Sequence, residues 1–512
     1  MVTSTPKAKT PSCQWNGSHA DWLAFGLLAV ATLIIRAPWF GDANADIDEQ
    51  LYSLIGNAMT QGALPYVDLW DRKPFGLFAI YAVAHAVGGP GPIAYQMLAA
   101  LFIFASAMMG FTLARCLVDR VTAFGAGFLI IALMSTYGAL SGNSEAFFVP
   151  MMVAMALLVR NHDHPQAVRR AVLAMLIGGL ALQVKYTAIP QCLFFGLWVL
   201  WGAHRNGAAM PRLVALAAAF GALGLLPTAL VAGGYALTGY WDAWLFANIT
   251  SFFDRMPSDA GRLYTDLVLF LMPLVLLAAG GMYAAVRMTP PRDRQTYMFY
   301  LLWFVACLAT IFLPATVYRY YFAAVVPATV LVALPLLDRR GPAGIAPLVL
   351  LVAGASYILF LPHQIQQSQT QRAALDRLAH AISAKVDSKQ NCLWVYDGPT
   401  SLYRLSGSCL PTRFIYPDHL NNLLESGALG VSQTAEVARI LATKPPVIVT
   451  ADTAFTPQNK NTEALVKAAI DRDYLEIADE TLHKRKIRVW ARRAADSPSA
   501  KMLDSNNPRK EP

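Results

Sequence analysis

Residues 213–236 read LVALAAAFGALGLLPTALVAGGYA, twenty-four positions without one charged side chain. As a helix rising 1.5 Å per residue, such a run is roughly 36 Å long, enough to cross the roughly 30 Å hydrocarbon core of a bilayer. Ten further apolar runs lie on either side of it, at 21–40, 93–114, 121–140, 144–159, 171–188, 190–203, 263–286, 296–314, 319–337 and 343–361. Eleven candidate spans predict a polytopic, all-α membrane domain, because helices satisfy their own backbone polar groups in lipid. Composition agrees. Hydrophobic residues make up 56% of the 512 and charged ones 14%, with a mean hydropathy of +0.41; soluble domains run nearer 45–50% and about 25%. A disordered chain, a collagen-like chain and an ordinary soluble enzyme are excluded. Six cysteines in this length exclude a disulfide-built mini-scaffold. The first run has no small-residue cleavage site behind it and reads as a retained anchor.

Lysine and arginine concentrate in cytoplasmic loops beside membrane spans. With the N-terminus inside, fourteen of those before residue 362 fall inside and seven outside: Arg36, Arg72, Lys73, Lys185, Arg255, Arg262 and Arg319. The net charge of +9 is therefore mostly a topology signal, and no nucleic-acid partner is expected. Of the sixteen carboxylates in the same stretch, eleven fall outside. Acids do little to set topology, so an acidic outer face calls for a chemical explanation.

The reading gives a cytoplasmic lead (1–20), a transmembrane domain (21–361) with a long outer loop (41–92), an outer α/β domain (362–493) and a disordered tail (494–512). Within the loop, 75–87 is apolar but too short to span and reads as interfacial or re-entrant. A second outer loop, 237–262, carries Trp241, Trp244, Phe252 and Phe253, of the kind that anchor at an interface. In the tail domain, 392–396, 414–416, 447–450 and 487–490 read as short strands, and 432–443 and 461–470 as helices. Cys392 and Cys409 lie in that domain and are either paired or two buried thiols; Cys13 and Cys116 would face the reducing side. No Gly-rich nucleotide loop, nucleophile elbow, Cys/His metal spacing or internal repeat is evident. His162-Asp163-His164 reads as a solvated inner turn, and Asn248-Ile249-Thr250 as a chance sequon.

Four features converge on the outer face. Asp46-Ile47-Asp48-Glu49 opens a helical pattern in which Asp48, Tyr52, Ile55 and Met59 share one face; the plain alternative is that these acids cap a helix N-terminus. Asp68-Leu69-Trp70-Asp71-Arg72-Lys73-Pro74 sets two acids and two bases beside the interfacial segment, or is a solvated turn with snorkelling cations. Lys185 sits near the outer end of the fifth span, where an ionisable group is a functional candidate, the alternative being a cation that snorkels to the headgroups. Tyr318-Arg319-Tyr320-Tyr321 opens the tenth span; a tyrosine belt explains its rings but not its arginine. A carboxylate can take a proton from an attacking hydroxyl, and cations can hold a phosphate leaving group.

The stretch ADIDEQLYSLIGNAMTQGALPYVDLWDRKP (45–74) resembles the first outer loop of the polyprenyl-phosphate-sugar-dependent glycosyltransferases of the GT-C class, which include the protein O-mannosyltransferases and the lipid A aminoarabinose transferase. The shared features are an Asp-Glu pair, a Tyr three residues on, a Gly-x-x-Pro-Tyr turn and then Lys-Pro. The order of spans to about residue 340 is similar too, and Leu402–Gly407 resembles the tail of bacterial relatives. The resemblance implies Asp48 as the base on the acceptor with Glu49 as its partner, Lys73 near the lipid phosphate, and Asp46, Tyr66, Lys185, Arg319 and Tyr320 as phosphate or sugar contacts. The family commonly has Lys-Pro-Pro; here Phe75 replaces the second proline. Asp46 and Asp48 form an Asp-x-Asp. Some GT-C enzymes bind a divalent metal through such a pattern and others need none; no metal or other cofactor is expected.

The expectation is therefore an integral-membrane glycosyltransferase of a bacterial inner membrane. It would move a sugar from a polyprenyl-phosphate donor to a glycan, lipid or protein acceptor at the periplasmic face. All seven outward cations would grip the anionic carrier head beside Asp48. The competing readings are a lipid-linked glycan transporter or flippase, disfavoured because the charges cluster at one end of the spans and not at the midplane, and a polymer ligase using a lipid-diphosphate donor.

Overall fold

The computed structural model describes residues 17–257, 260–314 and 317–493. Residues 1–16 of the lead, with Lys7, Lys9 and Cys13, lie outside the described residues, as do Asp259, the side chain of Arg262 and the tail 494–512. The described residues form two compact units. One lies within Met1–Gly62, Lys73–Leu245 and Pro257–Ser368, the other within Ala63–Arg72, Phe246–Met256 and Gln369–Pro512.

The first unit is helical. Helix α1 (His19–Arg36) starts where the Ser18 hydroxyl accepts from the Asp21 amide, and Arg120 holds Asp21 at 2.8 Å. Helix α2 (Ile47–Met59) is capped by Asp46, whose Oδ1 accepts from the amides of Asp48 and Glu49 at 2.9 and 3.3 Å. Helix α3 (Phe75–Gly88) begins after Pro74 and ends at Gly89. At 14 residues it is too short to cross a bilayer. Helices α4 (Pro92–Ala114), α5 (Arg120–Thr136), α6 (Ser144–Val159), α7 (Ala167–Leu182), α8 (Ile189–Arg205) and α9 (Met210–Leu237) follow.

Seven described stretches are long and apolar enough to span: His19–Trp39, Pro92–Ala114, Tyr186–Arg205, Met210–Leu237, Leu263–Arg287, Arg294–Phe312 and Ala346–Ser383. These cover seven of the eleven expected runs. The other four exist as helices but are shorter: α5, α6, α7 and Arg319–Val332. Two of the four are enclosed by protein. Helix α6 is enclosed along most of its length and the 326–332 segment throughout, so neighbouring helices and not lipid surround them. By contrast α9 is apolar all round and exposed along most of its length, as lipid contact requires.

The second unit carries a four-stranded sheet in the order β1-β2-β4-β3, with β1 (Leu393–Val395), β2 (Val447–Ala451), β3 (Tyr474–Leu482) and β4 (Arg485–Arg492). Strand β1 pairs parallel to β2, and the other pairings are antiparallel. Helices Gln433–Ala442 and Lys460–Asp473 lie near their expected positions, and with the sheet they enclose a core that includes Trp70, Trp394, Phe414, Val437, Ile440, Ile448 and Val466. Two strand expectations fail. Segment 414–416 is buried but irregular, since the neighbouring Arg413 carbonyl is taken by the Trp70 amide and not by a strand. Strand β3 went unread because it is an edge strand whose side chains are largely exposed and charged. The Cys392–Cys409 alternative resolves as a disulfide.

The bridge closes a 17-residue separation, for which loop-closure entropy gives about 3 kcal/mol. A Cys392→Ser/Cys409→Ser chain should lose roughly that much in the second unit. Limited proteolysis of the full-length protein at rising temperature would detect it as cleavage in 387–412 at lower temperature than in the parent.

Candidate functional site

The site begins at the first turn of α2. There the i, i+4 spacing stacks Tyr52 over Asp48, and the Tyr52 hydroxyl donates to Asp48 Oδ2 at 3.2 Å. The Tyr320 hydroxyl, from a residue 272 positions away, donates to the same oxygen at 2.9 Å. Each ring carries a cation. Lys73 Nζ lies 5.3 Å from the Tyr52 centroid; Lys185 Nζ lies 5.1 Å from that of Tyr320 and 3.8 Å from that of Tyr321, all within cation–π range. Lys185 is 4% exposed and ion-paired with the buried Glu145, which also accepts from the Ser144 hydroxyl at 2.9 Å. Asp48 and Lys73 both act electrostatically on Lys185. One carboxylate, three tyrosines and two lysines thus form one group.

Glu49, expected as the partner of the base, points elsewhere. It is fully buried: Oε2 accepts from the Gly142 amide at 2.6 Å, and Oε1 from the Tyr95 hydroxyl and Gln96 at 3.2 and 3.3 Å. It is a strut between α2 and the 138–143 turn. A side chain at Gly142 would put its Cβ 2.6 Å from the Tyr81 hydroxyl and 3.2 Å from Glu49 Oε2, so only glycine fits. Burial pushes the Glu49 carboxyl up to about 7, against the hydrogen bonds that favour its charge. Asp46 takes the capping role that was the alternative for this motif. Burial first, then the charges of Asp48 and Glu49, hold it well above the usual aspartate range. No group of three or more His, Cys, Asp or Glu side chains placed to hold a metal ion is found among the described residues.

The outward cations divide, which corrects the expectation that all seven serve one purpose. Arg36 is buried and donates to the Ala139 and Ser141 carbonyls. Arg72 and Arg255 both pair with Glu425 in the second unit. Arg319 is exposed, donates to the Thr136 carbonyl and lies over Phe270, so it turns away from Asp48. Tyr66 belongs to the second unit; it is 1% exposed at a φ of 70°, and its hydroxyl donates to Asn248. His162 is no solvated turn: it is buried, with its ring nitrogens on Asp163 and Gln295. Tyr52 was legible from its helical spacing. Tyr321 was legible only as part of the tyrosine run at 318–321, and Glu145 carried no local signal.

The chain is similar over nearly its whole length to a crystal structure of ArnT from Cupriavidus metallidurans bound to undecaprenyl phosphate. The TM-score is 0.63 at 16% identity, covering 92% of this chain and 98% of that one. The apo structure of the same protein gives 0.62 at 15% identity, with 91% and 98% covered. The chain therefore has the fold of that ArnT structure. An oligosaccharyltransferase from Archaeoglobus fulgidus, in complex with Zn and sulfate, gives a TM-score of 0.47 at 14% identity, with 83% and 67% covered. No protein-family model and no curated protein sequence matches the chain. Within this fold Asp48 comes from the first turn of α2, while Lys73 and Lys185 come from the irregular segments before α3 and between α7 and α8, of the kind that carry sites on a rigid scaffold.

Because the folded value for Glu49 lies above the ordinary glutamate value of 4.5, the fold favours its protonated form. Its contribution is greatest below about pH 4.5 and is lost as pH rises through about 7. Glu49→Gln keeps an acceptor for Gly142 and removes the titration. Thermal unfolding in detergent between pH 5 and 7.5 should therefore fall less steeply with pH in the variant than in the parent.

Proposed function

We propose that this protein is an integral-membrane glycosyltransferase that moves a sugar from a polyprenyl-phosphate carrier to an acceptor at the periplasmic face of a bacterial inner membrane. The observation that carries the reading is Asp48 bracketed by Lys73 and Lys185 through the rings of Tyr52 and Tyr320. The ArnT fold, with undecaprenyl phosphate bound in that protein, supports it.

In this mechanism Asp48 is the general base and takes the proton from the acceptor hydroxyl as its oxygen attacks the anomeric carbon. The bond from that carbon to the phosphate oxygen breaks, and polyprenyl monophosphate leaves with the electron pair. Lys73 and Lys185 meet the charge that develops on the phosphate, where low dielectric strengthens the attraction. Glu145 keeps Lys185 in place and charged. Asp46 and Glu49 set the first turn of α2, and no step is assigned to a metal.

Asp48→Asn should lower transfer about 10²–10⁴-fold, the usual value of a positioned base, while the protein still inserts and folds. Release of polyprenyl monophosphate from a lipid-linked sugar donor measures it, and unchanged turnover would refute the role. Lys73→Ala and Lys185→Ala should each weaken binding of undecaprenyl phosphate by roughly 10-fold or more, as expected for a lost charge-assisted contact. The sidedness is checked separately: alkaline phosphatase fused after residue 493 should be active, and a cytosolic fluorescent reporter there should be dark. Mass spectrometry of envelope glycans with and without the protein identifies the sugar and acceptor.

A further inference from the structure

We infer that Gln183 is a specificity-determining residue: one end of its side-chain amide hydrogen-bonds a sugar hydroxyl of the lipid-linked donor. The inference deepens the function proposed above and rests on it. Gln183 is 5% exposed and caps α7 two residues before Lys185. Its backbone is committed. The amide donates to the Gly179 carbonyl at 3.2 Å, and the carbonyl accepts from the Leu77 amide at 3.0 Å. The second bond seats Gln183 on the first turn of α3, just after Lys73 and Pro74. A Cβ at Gly76 would lie 2.7 Å from Gln183 Cβ, so glycine there gives the side chain its path. Gln183 thus lies beside the segments that carry both lysines.

The side-chain amide is only half used. Nε2 donates to Thr228 Oγ1 at 2.9 Å, whereas Oε1 is buried with no hydrogen-bond partner among the described residues. Thr228 belongs to the uncharged run 213–236, in which it and Tyr235 are the only polar side chains. Seven residues apart, they share one face of α9. Both turn towards this corner: Thr228 to Gln183, and the Tyr235 ring to Phe75 at 6.3 Å. The approach of α9 is set by Gly179, one turn before Gln183. A Cβ there would come within 2.6 Å of the Gly224 carbonyl oxygen and 2.8 Å of Pro227. A polar tie between two membrane helices accounts for one end of the Gln183 amide. It does not account for the other, because a buried polar atom left unpaired is costly. Turning the amide over gives Thr228 the oxygen and leaves the NH₂ group in the same position. A hydroxyl suits either, being both donor and acceptor. The uncharged amide beside two ammonium groups divides the donor between them. The lysines meet the phosphate, and Gln183 meets a neutral hydroxyl on the sugar. A site built to bond a hydroxyl rejects a substrate that lacks it.

The test uses the full-length protein in nanodiscs, with polyprenyl-monophosphate sugars extracted from bacterial membranes as donor and undecaprenyl phosphate as the sugar-free probe. Rates are expressed per site that binds undecaprenyl phosphate, so loss of folded protein does not enter. Gln183→Met keeps the length of the side chain and removes the amide. It should raise the donor KM about 10-fold, as for one lost hydrogen bond, and leave the Kd for undecaprenyl phosphate unchanged. Thr228→Val leaves Gln183 in place and removes the hydroxyl that orients it. It should raise the donor KM about 3-fold, again with that Kd unchanged. Equal weakening of donor and undecaprenyl phosphate would make Gln183 a phosphate contact and overturn the inference. An unchanged donor KM in both variants would make the amide only a tie between α7 and α9 and overturn it too. Either result leaves the proposed function standing. Failure of the parent protein to bind undecaprenyl phosphate would remove that function, and the inference with it.

Discussion

Two tyrosine hydroxyls on one oxygen of Asp48 are the interaction around which the first unit is arranged. A carboxylate near a membrane surface must keep its charge without losing it to a neighbouring ammonium. Hydroxyl donors stabilise the charge at full hydrogen-bond strength while leaving the group anionic. Their rings then offer a weaker, face-on attraction to Lys73 and Lys185. Asp48 and the two lysines are brought near each other by aromatic intermediaries. Much of the surrounding polar structure serves that arrangement: the Asp46 cap fixes the first turn of α2, the buried Glu49 ties that turn to Gly142, and Glu145 holds Lys185.

These acids sit within four residues and differ in two ways: burial sets Glu49 apart, and hydrogen-bond partners distinguish Asp46 from Asp48. Glu49 sees no solvent and has traded it for an amide, a phenol and a carboxamide. Asp46 spends an oxygen on two backbone amides. Asp48 is only partly buried and receives side-chain hydroxyls instead.

The second unit is built on a different principle. Its core joins the Trp70 segment to the sheet domain, and Arg72 and Arg255 share Glu425 there. Burial would push the Glu425 carboxyl up, but the two guanidiniums outweigh it and hold it below the usual range. Pieces of two loops between membrane helices are thus integral to the second unit, and a stretch that reads as one motif, Asp68–Pro74, is divided between units after Arg72.

Composition and charge placement alone determined that the chain is a polytopic helical membrane protein. Long uncharged runs admit no other backbone solution in lipid. The Asp-Ile-Asp-Glu turn and the i, i+4 tyrosine were legible for the same local reason, since helix periodicity fixes which neighbours meet. Which cation serves which acid was not legible. Seven arginines and lysines break the inside-positive pattern, yet three of them, Arg36, Arg72 and Arg255, are structural and Arg319 turns away. A charge's partner depends on which helices pack together. Only the tertiary structure brought Tyr320 to Asp48 across 272 residues and Glu145 to Lys185 across 40.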